Sequence, residues 1–72
     1  MERYRNSSGN SGVSAYEIGP DYILIKFSGN SRIYRYSYQK AGQHHVETMK
    51  RLAQSGSGLN SYVNRYVKNL YD

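Results

Sequence analysis

Tyr22-Ile23-Leu24-Ile25-Lys26-Phe27, then Ser28-Gly29-Asn30-Ser31, then Arg32-Ile33-Tyr34-Arg35-Tyr36-Ser37-Tyr38, is the stretch that decides the fold. The first run is β-branched and aromatic, with Ile23, Ile25 and Phe27 on one face and Tyr22, Leu24 and Lys26 on the other. The four residues after it carry the composition of a hairpin loop. The second run alternates strictly, so Tyr34, Tyr36 and Tyr38 share one face and Ile33, Arg35 and Ser37 the other. Setting Phe27 against Arg32 across the loop puts Ile25 opposite Tyr34 and Ile23 opposite Tyr36, which turns the rings toward a core and Arg35 toward water. A slip of one residue reverses every side chain, exposing the three rings and burying Arg35 with Ile33 and Ser37. An unpaired buried guanidinium is costly, which favours the first register.

Working outward, Val13 to Ile18 reads as a short strand closed by the turn signal Gly19-Pro20-Asp21. After Tyr38 the alternation stops. From Gln43 a helical period appears in Val46, Met49, Leu52 and Ala53, ending at Ser55-Gly56-Ser57-Gly58. Leu59, Tyr62, Val63, Tyr66, Val67, Leu70 and Tyr71 then form one apolar stripe of a second helix, with Ser57 as its expected N-cap. Asn60, Ser61, Asn64, Arg65, Lys68 and Asn69 fall on its wet face. The order predicts an α+β domain over residues 13–72, a three-stranded antiparallel β-meander followed by two helices packed on one face. Residues 1–12, with Asn, Ser and Gly alone from Asn6 to Gly12, are expected to be a flexible arm.

Composition bounds the rest. Leu, Ile, Val and Phe number 13 of 72, too few for an ordinary aliphatic core, but nine tyrosines supply rings that bury while their hydroxyls stay satisfied. With no cysteine there is no disulfide or thiolate site. No apolar segment opens the chain as a leader or anchor would, so a cytoplasmic protein is expected. The net charge is +5, and residues 32–54 hold +4 of it through Arg32, Arg35, Lys40, Lys50 and Arg51 against Glu47. A clustered cationic segment points to an anionic partner, nucleic acid first and an acidic protein second.

Tyr34-Arg35-Tyr36 after a Phe-ended strand and a Gly-bearing turn, then Ala53-Gln54-Ser55, a Gly, Leu59-Asn60, Val63 and Tyr66, resembles the KTSC domain over roughly residues 11–71. The resemblance implies a small module that stands alone in bacterial and phage proteins and is also found at the end of some lysyl-tRNA synthetases, with RNA binding as its role. Two departures stand out. Gln39-Lys40-Ala41-Gly42 replaces an expected Val-Pro, and the hairpin is about one residue longer.

The functional candidate is the tyrosine ladder, Tyr34 and Tyr36 above all, interleaved with Arg32, Arg35 and Lys40, because bases stack on exposed rings while cations hold phosphates. Lys50, Arg51 and Arg65 are expected as outer phosphate contacts, although Lys50 and Arg51 near a helix C-terminus also complement its dipole. His44-His45 lacks a third ligand at metal-binding spacing, so no metal is expected, and no cofactor either. Ser55-Gly56-Ser57-Gly58 opens a helix but lacks the Lys and hydroxyl of a nucleotide loop. Arg3, Tyr4 and Arg5 could trail along a phosphate backbone as a basic arm does. Glu2, Glu17, Asp21, Glu47 and Asp72 are too scattered to pair as acid and base, so the chain is read as a non-enzyme. The alternative is a protein-interaction module, an adaptor or small inhibitor docking on an acidic partner. A monomer or small homo-oligomer without a membrane partner fits either role.

Overall fold

The computed structural model describes residues 1–5 and 12–72. Seven elements follow one another: β1 (Glu2–Arg3), β2 (Val13–Ile18), β3 (Tyr22–Phe27), β4 (Ile33–Ser37), α1 (Gln43–Ser55), α2 (Leu59–Tyr62) and a π-helical segment (Val63–Val67) that continues α2. The strands form one antiparallel sheet in the order β1-β2-β3-β4, and the helices follow it.

Where alternation predicts three strands, the sheet has four. The additional strand, β1, lies within the segment expected to be an arm and pairs Glu2 with Tyr16 and Arg3 with Ala15. Tyr4 beyond it is buried, and its hydroxyl accepts the Leu59 amide at 3.3 Å. A two-residue strand has no periodicity to read, and its burial depends on a helix start 55 positions away. The Asn6 to Ser11 part of the expected arm lies outside the described residues.

The β3–β4 register is the one that keeps Arg35 out of the core. Ile25 faces Tyr34, Ile23 faces Tyr36 and Leu24 faces Arg35. Ile23, Ile25 and Tyr36 are buried beneath Val46, Met49 and Ala53 of α1, with Leu59, Val63 and Val67 closing the same core. A bulge between Val13 and Ala15 turns β2, and the Ser14 hydroxyl donates to the Lys26 carbonyl at 3.1 Å.

Helix α1 ends in a left-handed Gly56, whose amide donates to the Leu52 and Ala53 carbonyls. The expected Ser57 N-cap of the last helix is replaced. Gly58 holds that position with φ +85° and no side-chain cap, because the chain must reverse there and only glycine adopts that φ without strain. The expected stripe is buried at Leu59, Val63 and Val67, whereas Tyr66 is 51 % exposed. Three core residues spaced by four drift about 40° per step on an α-helix. The wider i→i+5 turn over Val63–Val67 rotates less per residue and brings Val67 back to the core, leaving Tyr66 outside.

Candidate functional site

Tyr34 leaves β4 on the core face, is partly buried against the core, and its ring also meets the chain after the π segment. It packs edge-on against Phe27 at 5.4 Å and against Tyr71 at 4.9 Å between centroids. Between these rings and the last helix runs an open cleft of about 360 Å³. Asn60, Asn64 and Lys68, four residues apart in sequence, line one wall, and Asn30 and Asn69 complete its polar rim. Asn30 also holds the hairpin loop, its Oδ1 accepting the Arg32 amide at 2.9 Å. The Arg32 guanidinium lies over the Tyr34 ring at 4.9 Å and the Tyr71 ring at 5.5 Å. Among the described residues the side chains of Asn60, Asn64, Asn69 and Lys68 make no hydrogen bond or ion pair within the protein. The cleft therefore presents amide donors and acceptors, a cation at each side and aromatic carbon, with no carboxylate in its lining.

Arg35 points to the opposite face of the sheet. Its guanidinium lies over Tyr22 at 4.8 Å, and its Nε is 3.7 Å from Asp72 Oδ2. The Tyr22 ring has room to lie flat across the preceding turn because residue 19 is glycine: a Cβ there would sit 2.2 Å from the ring. Asp72 reaches Arg35 because the chain end runs beside β4, its amide donating to the Arg35 carbonyl at 2.7 Å. Ser37 donates its hydroxyl to Asp72 Oδ1 at 2.8 Å and accepts the Lys40 amide at 3.3 Å.

Arg32 and Arg35 are therefore not one patch. Three residues apart on an extended chain, they belong to opposite faces, and the set of Arg32, Arg35 and Lys40 expected to contact phosphates together divides between the Arg32 cleft and the Arg35–Ser37–Lys40 corner. Tyr36 is 1 % exposed, so it offers no face for a base to stack on. Its core position pushes the phenol up to about 12, through desolvation first and the neighbouring Tyr34 and Tyr71 second. Tyr34 keeps only a partial opening to the cleft beneath Arg32.

The outer positions differ among themselves. The Lys50 side chain is 13 % exposed and is held by Glu47 at 2.9 Å and over the Tyr38 ring at 5.5 Å, which removes it from the surface set. Glu47 accepts the Tyr38 hydroxyl; that bond, then the one from Lys50, holds its carboxyl below the usual range. Neither Lys50 nor Arg51 falls in the last turn of α1, where the dipole argument expects a cation, and the Arg51 guanidinium turns back to the Thr48 hydroxyl at 3.4 Å. Arg51 and Arg65 are exposed, Arg65 over the Tyr66 ring at 5.7 Å. His45 shares a hydrogen bond of 2.7 Å with the Tyr62 hydroxyl and stacks on Tyr66. Among the described residues no three His, Cys, Asp or Glu side chains come together as a metal would need.

The Ser55–Gly58 loop has part of its hydrogen-bonding capacity committed within the protein. The Gly56 amide caps α1 and the Leu59 amide is taken by Tyr4, while the Ser55 hydroxyl donates to the Leu52 carbonyl at 2.8 Å. In the Arg3, Tyr4 and Arg5 stretch, Tyr4 is core and Arg5 donates to the Gln54 carbonyl at 2.7 Å.

Sequence reasoning missed Asn30, Asn60, Asn64, Lys68 and Tyr71. The spacing of Asn60, Asn64 and Lys68 was a visible signal of one helix face, but nothing in the sequence says that this face meets the β3–β4 hairpin. No known protein family, curated protein or solved structure matches this chain.

Proposed function

We propose that this chain is a small non-catalytic domain that binds single-stranded nucleic acid, RNA first, with the Arg32 cleft as its principal contact. The observation that carries this reading is the Arg32 guanidinium held over Tyr34 and Tyr71 at the mouth of a cleft lined by asparagines and Lys68. A guanidinium seated on rings is positioned without being neutralised, so it meets a phosphate with its charge intact. Amide side chains each bring donors and an acceptor, the functions that base edges require. An unpaired strand suits the cleft, since its bases are free to enter between side chains while a duplex keeps them stacked.

Among the described residues, two of the ten Lys and Arg side chains, Arg35 and Lys50, form ion pairs, so most of the positive charge stays available. The RNA role implied by the KTSC resemblance agrees with this proposal, and so does an intracellular, cytoplasmic site of action. Among the described residues no helix is long and apolar enough to cross a membrane. A titration of single-stranded RNA at rising salt tests the proposal: affinity falls steeply with salt, and Arg32→Gln weakens binding, whereas salt-independent binding or an unaffected variant contradicts it.

One observation favours the alternative of an acidic protein partner. Tyr66 is exposed with Arg65 beside it, and tyrosine and arginine are the residue types that anchor protein interfaces. Capture of a partner that survives nuclease treatment and is lost in Tyr66→Ala favours that role.

A further inference from the structure

The corner where β4 ends holds an internal anion. We propose that the Asp72 side-chain carboxylate occupies a phosphate seat formed by Arg35, Ser37 and Lys40, and that a nucleic-acid phosphate displaces it. This rests on the nucleic-acid reading and adds to it a second contact and an internal competitor.

Both Asp72 oxygens are engaged as two phosphate oxygens would be. Oδ1 accepts the Ser37 hydroxyl at 2.8 Å, and Oδ2 faces Arg35 Nε at 3.7 Å. Ser37 is positioned for this donation, because its oxygen already accepts the Lys40 amide at 3.3 Å, leaving its hydrogen to point outward. Lys40 and Gln39 line the same open depression of about 300 Å³, and the Lys40 ammonium forms no ion pair among the described residues.

The incumbent is weakly held. The Arg35 and Asp72 side chains are 51 % and 33 % exposed, and the distance is longer than a close charge-assisted bond. Displacing the carboxylate does not require the chain end to leave. The Asp72 amide donates to the Arg35 carbonyl at 2.7 Å through the backbone, so the side chain can rotate away while that contact persists.

The test uses fluorescence anisotropy of a labelled mixed-sequence single-stranded RNA with the whole chain. Asp72→Asn tightens binding about threefold, the scale of one partly exposed ion pair. Glu17→Gln is the charge-matched control: Glu17 lies opposite Leu24, which lies opposite Arg35, so it sits on the same face roughly 10 Å from the seat. Its effect is smaller than that of Asp72→Asn, and Asp72→Asn with Ser37→Ala loses the gain. Equal effects of the two single variants, or none from Asp72→Asn, overturn the proposal. A second measurement titrates inorganic phosphate into Asp72→Asn and follows the Ser37 and Lys40 amides by NMR. Shifts confined to that corner and weaker in wild type are expected. Their absence overturns the seat even when RNA binding holds, whereas shifts without any RNA binding retain the seat and reject the nucleic-acid reading.

Discussion

Tyr36 and Tyr34 are two residues apart on one face of β4, yet the first is core and the second borders the cleft. The difference lies in what covers each. Tyr36 lies within the buried core, whereas Tyr34 is only partly buried against it, with Tyr71 edge-on at 4.9 Å and the Arg32 guanidinium over its ring at 4.9 Å. Tyr36→Ala removes a filled core ring and should cost about 3–5 kcal/mol, read by chemical denaturation. The Tyr36 phenol also sets an alkaline limit. Its folded value is raised from 10.0 to about 12, so the folded state holds the proton more tightly than the unfolded chain. The associated stability is complete below pH 10 and is lost as pH rises toward 12. Tyr36→Phe should flatten the stability loss in that window relative to wild type; an unchanged profile contradicts the assignment. At this scale the sequence was informative: strict alternation left two registers, and the cost of burying a guanidinium selected the observed one that keeps Arg35 out of the core.

At the scale of elements, β1 and the last helix depend on each other. Tyr4 fills the space above the start of α2 and accepts the Leu59 amide, one of the donors that a helix start leaves without a partner. Tyr4→Ala should therefore destabilise the whole domain by about 3–5 kcal/mol, although its position in a Gly- and Ser-rich neighbourhood reads as peripheral. The turn between the helices makes a paired prediction. Ser57→Ala, at a position that does not cap, should change stability by less than about 0.5 kcal/mol. Gly58→Ala should cost about 1–2 kcal/mol, since a Cβ there meets only the Leu52 side chain at 3.6 Å and the penalty is the positive φ itself. Thermal melts of the two variants check both values. The strong periods of β3, β4 and α1 were legible because each element buries a face many residues long. The two-residue β1 and the π-helical turn were not, since both are set by packing between distant segments.

At the scale of the molecule, Arg32 and Arg35 stand on opposite sides of β4, each with its guanidinium over a tyrosine ring. Net charge was legible in the sequence, but its partition was not, because the fold brings Asp72 to Arg35 and the last helix to the hairpin. If Arg32, Lys68 and Lys40 each neutralise one phosphate of a single strand, the log–log salt slope is about −2, and Arg32→Gln reduces its magnitude by about 0.7. A slope unchanged by that substitution would remove Arg32 from the contact.

The most direct measurement is an NMR titration of the isotopically labelled chain with a short single-stranded RNA at low salt. Shifts should concentrate at Arg32, Tyr34, Asn64, Lys68 and Tyr71, the two walls of the cleft. Saturation without shifts at these residues, or no binding to RNA or DNA at all, would contradict the account.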